Sequence, residues 1–437
     1  MKHTASASWL SLLVLLCGCG GEGTQVSPPP NSPPPPQERA YTVLHTFKEG
    51  EGGKHPYGGL VRDEAGNLYG TTIEGGDLSC PDDMNGCGTV FKLDTNGVFT
   101  TLHAFAGGPT DGAGAGSQGS LIRDGSGNLY GATTGGGDRN CIQGCGTVFK
   151  LDAMGRAILL HRFTGGADGS APELGVRDAA GNLYGTTEFG GDLSCPFEPG
   201  LRGCGTVFKL APGGALATLH VFAGGVDEGS RPQAGPIRDA SGNLYGTTSN
   251  GGNCLFGPSF CGTIFKVDRD GIFTTLYLFG GFPADGIGPS SGLIQDASGN
   301  LYGTTIGGGA QFGGTVFQVD SSGRTTILHS FTSPEDEGFD DPGGQSPNGV
   351  LLDADGNLYG TTSAGGVSRL GVIFRLNVES GAKTVLHTFS GKADGGQPFG
   401  DLVGDGDGNL YGTTFAGGDP SCSPPYGCGV VFKLKLP

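Results

Sequence analysis

The chain has 437 residues, 90 of them Gly and 27 Pro, with 35% hydrophobic and 15% charged residues and a formal charge of −17. Glycine at this level excludes helical bundles and coiled coils, because each Gly costs ~1 kcal/mol against Ala inside a helix, and collagen is excluded because Gly does not fall at every third position. The acidic balance makes a nucleic-acid duplex or an anionic membrane face a poor partner.

At the N-terminus, Lys2 and His3 precede an apolar run from Trp9 to Leu16. The run is too short to span a bilayer, which takes ~20 residues, and reads as an export signal. Leu16-Cys17-Gly18-Cys19 has the form of a bacterial lipobox, with a small residue directly before Cys19. Residues 1–18 are therefore expected to be a lipoprotein signal peptide and Cys19 the lipidated residue. Cys17 fits less well, since Leu16 would take the small position. The alternative is an ordinary secretory signal with incidental cysteines. Gly20, not Asp, follows Cys19, which favours the outer membrane or cell surface over inner-membrane retention. Residues 19–40 form a Pro-rich tether, with Pro28–Pro30 and Pro33–Pro36 favouring polyproline II at ~3.1 Å per residue. Loss of the signal removes Trp9, the single tryptophan.

From Tyr41 onward the chain repeats. Gly-Asn-Leu-Tyr-Gly-(Thr/Ala)-Thr begins at Gly66, Gly127, Gly181, Gly242, Gly299, Gly356 and Gly408, a period that indicates a solenoid, propeller or array. Four strand-like runs fit each repeat, in the first at Gly59–Asp63, Asn67–Thr72, Gly88–Leu93 and Phe99–Phe105, with Asp/Gly/Asn turns between the first and second and between the third and fourth. The fourth run recurs at Tyr41–Phe47, Phe99–Phe105, Ala157–Phe163, Leu216–Phe222, Phe273–Phe279, Thr325–Phe331 and Lys383–Phe389. The first copy precedes any first run, and the chain stops after a third run, Gly429–Leu434. A closed ring accounts for this offset, because the N-terminal strand then completes the last unit and no edge is left exposed. The prediction is an all-β, seven-bladed β-propeller over residues 41–437.

The repeated Gly-Asn-Leu-Tyr-Gly-Thr-Thr, a Gly-Gly and then Gly-Thr-Val-Phe-Lys-Leu resemble the bacterial GloVer-containing, choice-of-anchor tandem-repeat proteins, from Tyr41 to the C-terminus. The resemblance implies an exported protein held to the cell by an anchor, here an N-terminal lipid rather than a C-terminal sorting segment. It brings no activity and no site residues.

The first-to-second and third-to-fourth turns barely change length, and variation is concentrated in the second-to-third and fourth-to-first connections, which a propeller places on one face; binding residues tend to sit on variable loops carried by a rigid scaffold. The second-to-third loops hold Cys80/Cys87, Cys141/Cys145, Cys195/Cys204, Cys254/Cys261 and Cys422/Cys428. These come and go as pairs, as disulfides do, whereas a zinc site would need two further ligands for each. Carboxylates at Asp111, Asp168, Asp227, Asp285, Asp336 and Asp394, and at Asp77, Asp138, Asp192 and Asp419, could collect calcium or simply make turns. No other cofactor is expected.

Six fourth-run histidines (His45, His103, His161, His220, His329, His387), with Tyr277 in the seventh place, and the seven second-run tyrosines recur in every unit. Repetition makes them structural, the tyrosine hydroxyls being expected to satisfy backbone groups between blades. An active site must break the symmetry. Lys54, His55 and Tyr57 form a unique group that could supply a base and a charge neutraliser, or merely a polar turn. Arg139, Phe197, Arg202, Phe256, Phe260, Phe312, Phe339, Arg369 and Tyr426 are unpatterned candidates for a binding surface. The leading reading is a monomeric, lipid-anchored surface propeller that binds a protein or polysaccharide through its stapled loops, touching membrane only through the lipid. The alternatives are an extracellular polysaccharide lyase or glycosidase and a structural spacer without a ligand.

Overall fold

The computed structural model describes residues 40–50, 52–80, 85–115, 121–141, 144–195, 202–254, 261–280, 285–332 and 343–436. The signal, Cys19 and the tether up to residue 39 lie outside the described residues, as do Phe197, Phe256, Phe260, Phe339 and Asp336. Seven antiparallel sheets stand in a ring, a seven-bladed β-propeller. Strand Tyr41–Thr46 pairs antiparallel with Val430–Lys435, Tyr41 opposite Leu434 and Thr46 opposite Val430, so the N-terminal strand completes the seventh blade. The first run of a blade is short, only Val61–Arg62 in the first. In the second blade it is split into Ala113–Ala115 and Ile122–Arg123, both pairing with Leu129–Gly135.

The two halves of the repeat motif turn out to be one contact. Gly70, the second Gly of the first motif, faces Phe91 across the sheet, and a Cβ on it would lie 2.6 Å from the Phe91 ring. The same holds for Gly131, Gly185, Gly246, Gly303, Gly360 and Gly412 against Phe149, Phe208, Phe265, Phe317, Phe374 and Phe432. Each of these rings meets the Phe that ends the fourth run of the preceding blade. The pairs are Phe47–Phe91, Phe105–Phe149, Phe163–Phe208, Phe222–Phe265, Phe279–Phe317, Phe331–Phe374 and Phe389–Phe432, with centroids 5.1–5.6 Å apart. All fourteen rings are buried, and edge or tilted packing of this kind adds ~0.5–1.5 kcal/mol per pair beyond burial.

The turn between first and second runs is held by its own side chains. Asp63 accepts bonds from Asn67 N (2.8 Å), Asn67 Nδ2 (2.8 Å) and the Tyr69 hydroxyl (3.0 Å). The arrangement recurs through Asp405, Asn409 and Tyr411. The tyrosine hydroxyls therefore serve their own turn's carboxylate, not backbone groups between blades as the sequence suggested. At Asp405 burial pushes the pKa up, but the bonds from Asn409, Asp407 N and Tyr411 outweigh it and hold the group at about 2.

Each fourth strand also carries a β-bulge. Val90 faces His103 and Phe91 faces Thr101, leaving Leu102 as the extra residue, and the equivalent shift recurs in the closing strand between Val43 and His45. At the hub the first runs of neighbouring blades touch backbone to backbone. A Cβ on Gly235 would lie 2.3 Å from Gly175 N, and one on Gly400 would lie 2.5 Å from Gly58 O.

All five cysteine pairs are disulfides, Cys80–Cys87, Cys141–Cys145, Cys195–Cys204, Cys254–Cys261 and Cys422–Cys428, with Cα atoms 5.0–5.8 Å apart. All ten of these cysteines lie in the second-to-third loops, as expected from the sequence, and eight of them are buried, Cys80, Cys195 and Cys422 among them. Cys87, Cys145, Cys204, Cys261 and Cys428 are all buried in the seams beneath the loops. Cys145 packs with Phe163, Leu174 and Phe208, and Cys261 with Phe279, Leu293 and Phe317. The cause lies in the strand that follows. Cys145 and Cys261 directly precede Gly146 and Gly262, whose carbonyls accept Phe163 N (3.1 Å) and Phe279 N (3.1 Å) from the fourth run. The cysteine carbonyls in turn accept Ala171 N (3.0 Å) and Gly288 N (3.1 Å) from the next blade. Each disulfide thus ties a loop to the seam below it. Among the described residues no helix is long and apolar enough to cross a membrane.

Gly246→Ala should push against the Phe265 ring and destabilise the protein by ~1–3 kcal/mol. Gly213→Ala, with open space around it, should stay within ~0.5 kcal/mol. Chemical denaturation of the two variants measures the difference.

Candidate functional site

The long loops share one face, and the short turns share the other. Both ends of the described chain leave on the short-turn face, where Leu436 N donates to Gly408 O in a first-to-second turn (2.7 Å) and Lys435 N to Ala40 O (3.2 Å). The loop face is thus clear of both.

Its rim is built from the disulfide loops. Asp77 Oδ1 accepts Ser79 N (2.8 Å) and Ser79 Oγ (2.7 Å). Asp192 does the same with Ser194, and Asp419 with Ser421; Asp138 takes Asn140 N. The serine hydroxyl and then the serine N–H lower the pKa of Asp77, Asp192 and Asp419. The second-to-third connections, with or without a disulfide, expose apolar side chains: Val367 is 72% exposed, Tyr426 67% and Leu78 61%, joined by Leu193 and Phe312. Arg139, Arg202 and Arg369 are exposed on the same loops. Sequence reasoning named Tyr426, Phe312 and the arginines but missed Leu78, Leu193 and Val367. The signal was present, in an apolar residue one or two places after Gly-Gly.

The acidic residues of the fourth-to-first loops face the fourth-run histidines. His103 Nε2 lies 3.0 Å from Asp111 Oδ1, His161 Nε2 3.5 Å from Asp168, His387 Nε2 3.4 Å from Asp394, and Tyr277 donates to Asp285 (2.6 Å). In the fourth of these loops Glu228, not Asp227, plays this part, 3.6 Å from His220 Nε2. The same carboxylates close their loops: Asp111 accepts Ala106 N, and Asp285 accepts Gly280 N. Among the described residues no group of three or more His, Cys, Asp or Glu could hold a metal ion.

Closer to the axis, one residue per blade is left-handed: His55, Gly114, Ala171, Arg231, Gly288, Ser346 and Gln397, with φ between 51° and 64°. Non-glycine residues rarely adopt this region. A bond to the preceding blade holds them there, as in His55 N to Cys428 O (3.0 Å), Arg231 N to Cys204 O (3.0 Å) and Gln397 N to Leu370 O (2.7 Å). Leu370 thus replaces a cysteine carbonyl in a blade that has no disulfide.

Two seams depart from the pattern. Between the third and fourth blades, Arg231 pairs with Glu188 and lies over Phe189 (5.2 Å), while Gln233 Nε2 donates to Glu188 (3.0 Å). Between the seventh and first blades lies the predicted Lys54–His55–Tyr57 group, which the fold does bring together with other residues. Lys54 Nζ is 3.5 Å from Glu74 Oε2 and 3.3 Å from Ser423 Oγ. His55 Nδ1 donates to Phe415 O (3.0 Å), its ring stacks on Phe415 (4.4 Å), and its Nε2 lies 3.9 Å from Glu74. Tyr57 stacks on Phe399 (4.7 Å, 19°), and Phe415 meets both rings edge-on. Lys54 and His55 are buried, whereas Tyr57, Phe399 and Phe415 are half-buried. Phe399, Phe415 and Glu74 escaped the sequence reading. Aligning the repeats exposes Phe415, since the other copies carry Ile73, Thr134, Glu188, Ser249, Ile306 and Ser363 there.

Asp401 is a further singleton at the hub. It bears on Gly349, where a Cβ would lie 2.0 Å from its Oδ1, and burial outweighs the Gly349 N–H to push its carboxyl up to about 6.

The family described as the Gloeobacter/Verrucomicrobia repeat matches residues 34–195, 197–341 and 337–437, and the chain belongs to that family. No curated protein matches the sequence. Among solved structures, a streptogramin B lyase is similar with TM-score 0.56 at 16% identity, covering 91% of this chain and 98% of that one. An oligogalacturonate lyase in complex with manganese gives TM-score 0.50 at 12% identity, covering 90% and 99%. At such identities the likeness is one of fold.

Because the Asp401 carboxyl is raised in the folded state, it favours folding when protonated, and that contribution is lost as pH rises through about 6. Asp401→Asn should therefore raise the melting temperature by a few degrees at pH 8 and change it little at pH 4.

Proposed function

We propose that this member of the Gloeobacter/Verrucomicrobia repeat family is an exported, lipid-anchored propeller on the cell surface that binds a protein or polysaccharide through its loop face. The observation that carries the reading is the polarity of the ring. Disulfide-tied loops, their variation in length and their exposed apolar tips share one face, while Tyr41, which follows the tether, starts from the other. A domain tethered through the short-turn face presents its loops outward. Five disulfides fit an oxidising compartment, and the Leu-Cys-Gly-Cys sequence ending at Cys19 supports anchoring by lipid. A monomer suffices for this role, since the ring closes on itself and leaves no blade to be completed by a second chain.

A second reading is an extracellular lyase, favoured by the gathering of Lys54, His55 and Glu74 and by the chemistry named for the two similar folds. Burial of Lys54 and His55, each tied to a partner, weighs against either acting on a substrate.

In cells making the full chain, Cys19→Ala should abolish palmitate labelling and move the protein from the membrane to the soluble fraction. On glycan and protein arrays, the combined change Val367→Asp and Tyr426→Ala should cut the bound signal at least tenfold, and Met154→Asp on the opposite face should not. Membrane retention of the Cys19 variant, or array binding indifferent to the loop-face changes, would contradict the reading.

A further inference from the structure

We propose that the aromatic seam between the seventh and first blades is a stacking site for an uncharged sugar ring, near the axis on the loop face. The inference rests on the loop face being the binding face and narrows its ligand to a neutral glycan.

The seam does not need aromatic residues to close. Where this blade junction has Tyr57, other blades have Glu173, Gln233, Ser290 and Asn348; where it has Phe415, they have aliphatic, hydroxyl or acidic side chains. Their seams close all the same, through the buried Phe–Phe pairs and the bond from the left-handed residue. Tyr57, Phe399 and Phe415 are thus an addition to the repeat, placed where the first runs of two blades converge at Gly58 and Gly400.

The rings of the cluster brace one another, and the cluster is partly open. Tyr57 and Phe399 lie nearly parallel, Phe415 braces both edge-on, and His55 stacks on Phe415 while bonded to its carbonyl. All three rings keep some exposed surface. Beside them stand the carboxylate of Glu74 and the hydroxyl of Ser423, both half-buried and held in place by the buried Lys54 (3.5 and 3.3 Å), while Asn348 Nδ2 braces the backbone next to Phe399 by donating to Pro398 O (2.6 Å) and to Thr361 Oγ1 (2.9 Å). A flat apolar platform flanked by a carboxylate and a hydroxyl suits a ligand with an apolar C–H face and a hydroxylated edge. That is a pyranose. The charge of −17 and the exposed rim carboxylates select against an anionic polysaccharide. With Trp9 lost with the signal, stacking falls to Tyr and Phe.

The test is calorimetric titration of the purified full chain with cellohexaose, xylohexaose and chitohexaose, with polygalacturonate as the anionic comparison. At least one neutral hexamer should bind. Tyr57→Leu, which keeps apolar bulk but no flat face, and Phe399→Ala should each weaken it more than tenfold; Tyr57→Phe should stay within threefold. Circular dichroism checks that each variant is folded, and Tyr57→Leu carries the test if Phe399→Ala is not. Absence of binding by all three hexamers, or preference for polygalacturonate, overturns the proposal. Binding that survives Tyr57→Leu but is lost in Val367→Asp also overturns it while leaving the loop-face reading intact.

Discussion

The ring stands on seven phenylalanine pairs, one at each seam between blades. Every pair joins the Phe that ends one blade's fourth strand to the Phe in the middle of the next blade's third strand. The motif glycine opposite that second ring makes room for it, which is why Gly-Asn-Leu-Tyr-Gly and Gly-Thr-Val-Phe recur together. The pairing runs from blade to blade with no natural end. Phe47 supplies the seventh pair, so the N-terminal strand both fills the last sheet and covers Phe91, which would otherwise lose its partner.

This arrangement separates stability from recognition. Residues that recur, such as the Asp63–Asn67–Tyr69 turn and the His103–Asp111 contact, hold the blades and repeat around the ring. Residues that do not recur can vary without disturbing the seams, because the inter-blade bond uses backbone atoms. Leu370 shows this: its carbonyl accepts Gln397 N as the carbonyls of Cys145 and Cys261 accept their own partners. The loop face can therefore carry Leu78 in one blade, Arg139 in the next and Val367 in another on the same framework. The disulfides stiffen loops whose own apolar content is small, each closing a short loop worth roughly 2–3 kcal/mol.

Features set by repetition were legible in the sequence. The blade number, the closing strand and the cysteine pairs all follow from what recurs, what is offset and what vanishes together. Local pairings and depths were harder to read. The tyrosine hydroxyl serves a carboxylate six residues before it, where the sequence suggested backbone groups between blades. Cys145 and Cys261 belong to loops by sequence, yet they lie under the loop face because the third strand that starts beside them is drawn into the seam. The acids of the fourth-to-first loops stood out as possible cation ligands, since a sequence shows the carboxylate but not that His103 or Tyr277 faces it across a bulged strand. At the candidate site, Lys54, His55 and Tyr57 were visible as neighbours in the chain. Phe399 and Phe415 reach them only through closure of the ring, which brings the two ends of the sequence into one seam.

Closure is the claim on which the fold and the site both depend, and hydrogen–deuterium exchange tests it directly. If the N-terminal strand completes the seventh blade, the amides of Tyr41–Thr46 that face Val430–Lys435 will be protected as strongly as those of the equivalent strand Phe99–Ala104. Exchange of Tyr41–Thr46 within seconds, as in a frayed terminus, while Phe99–Ala104 stays protected, would contradict it.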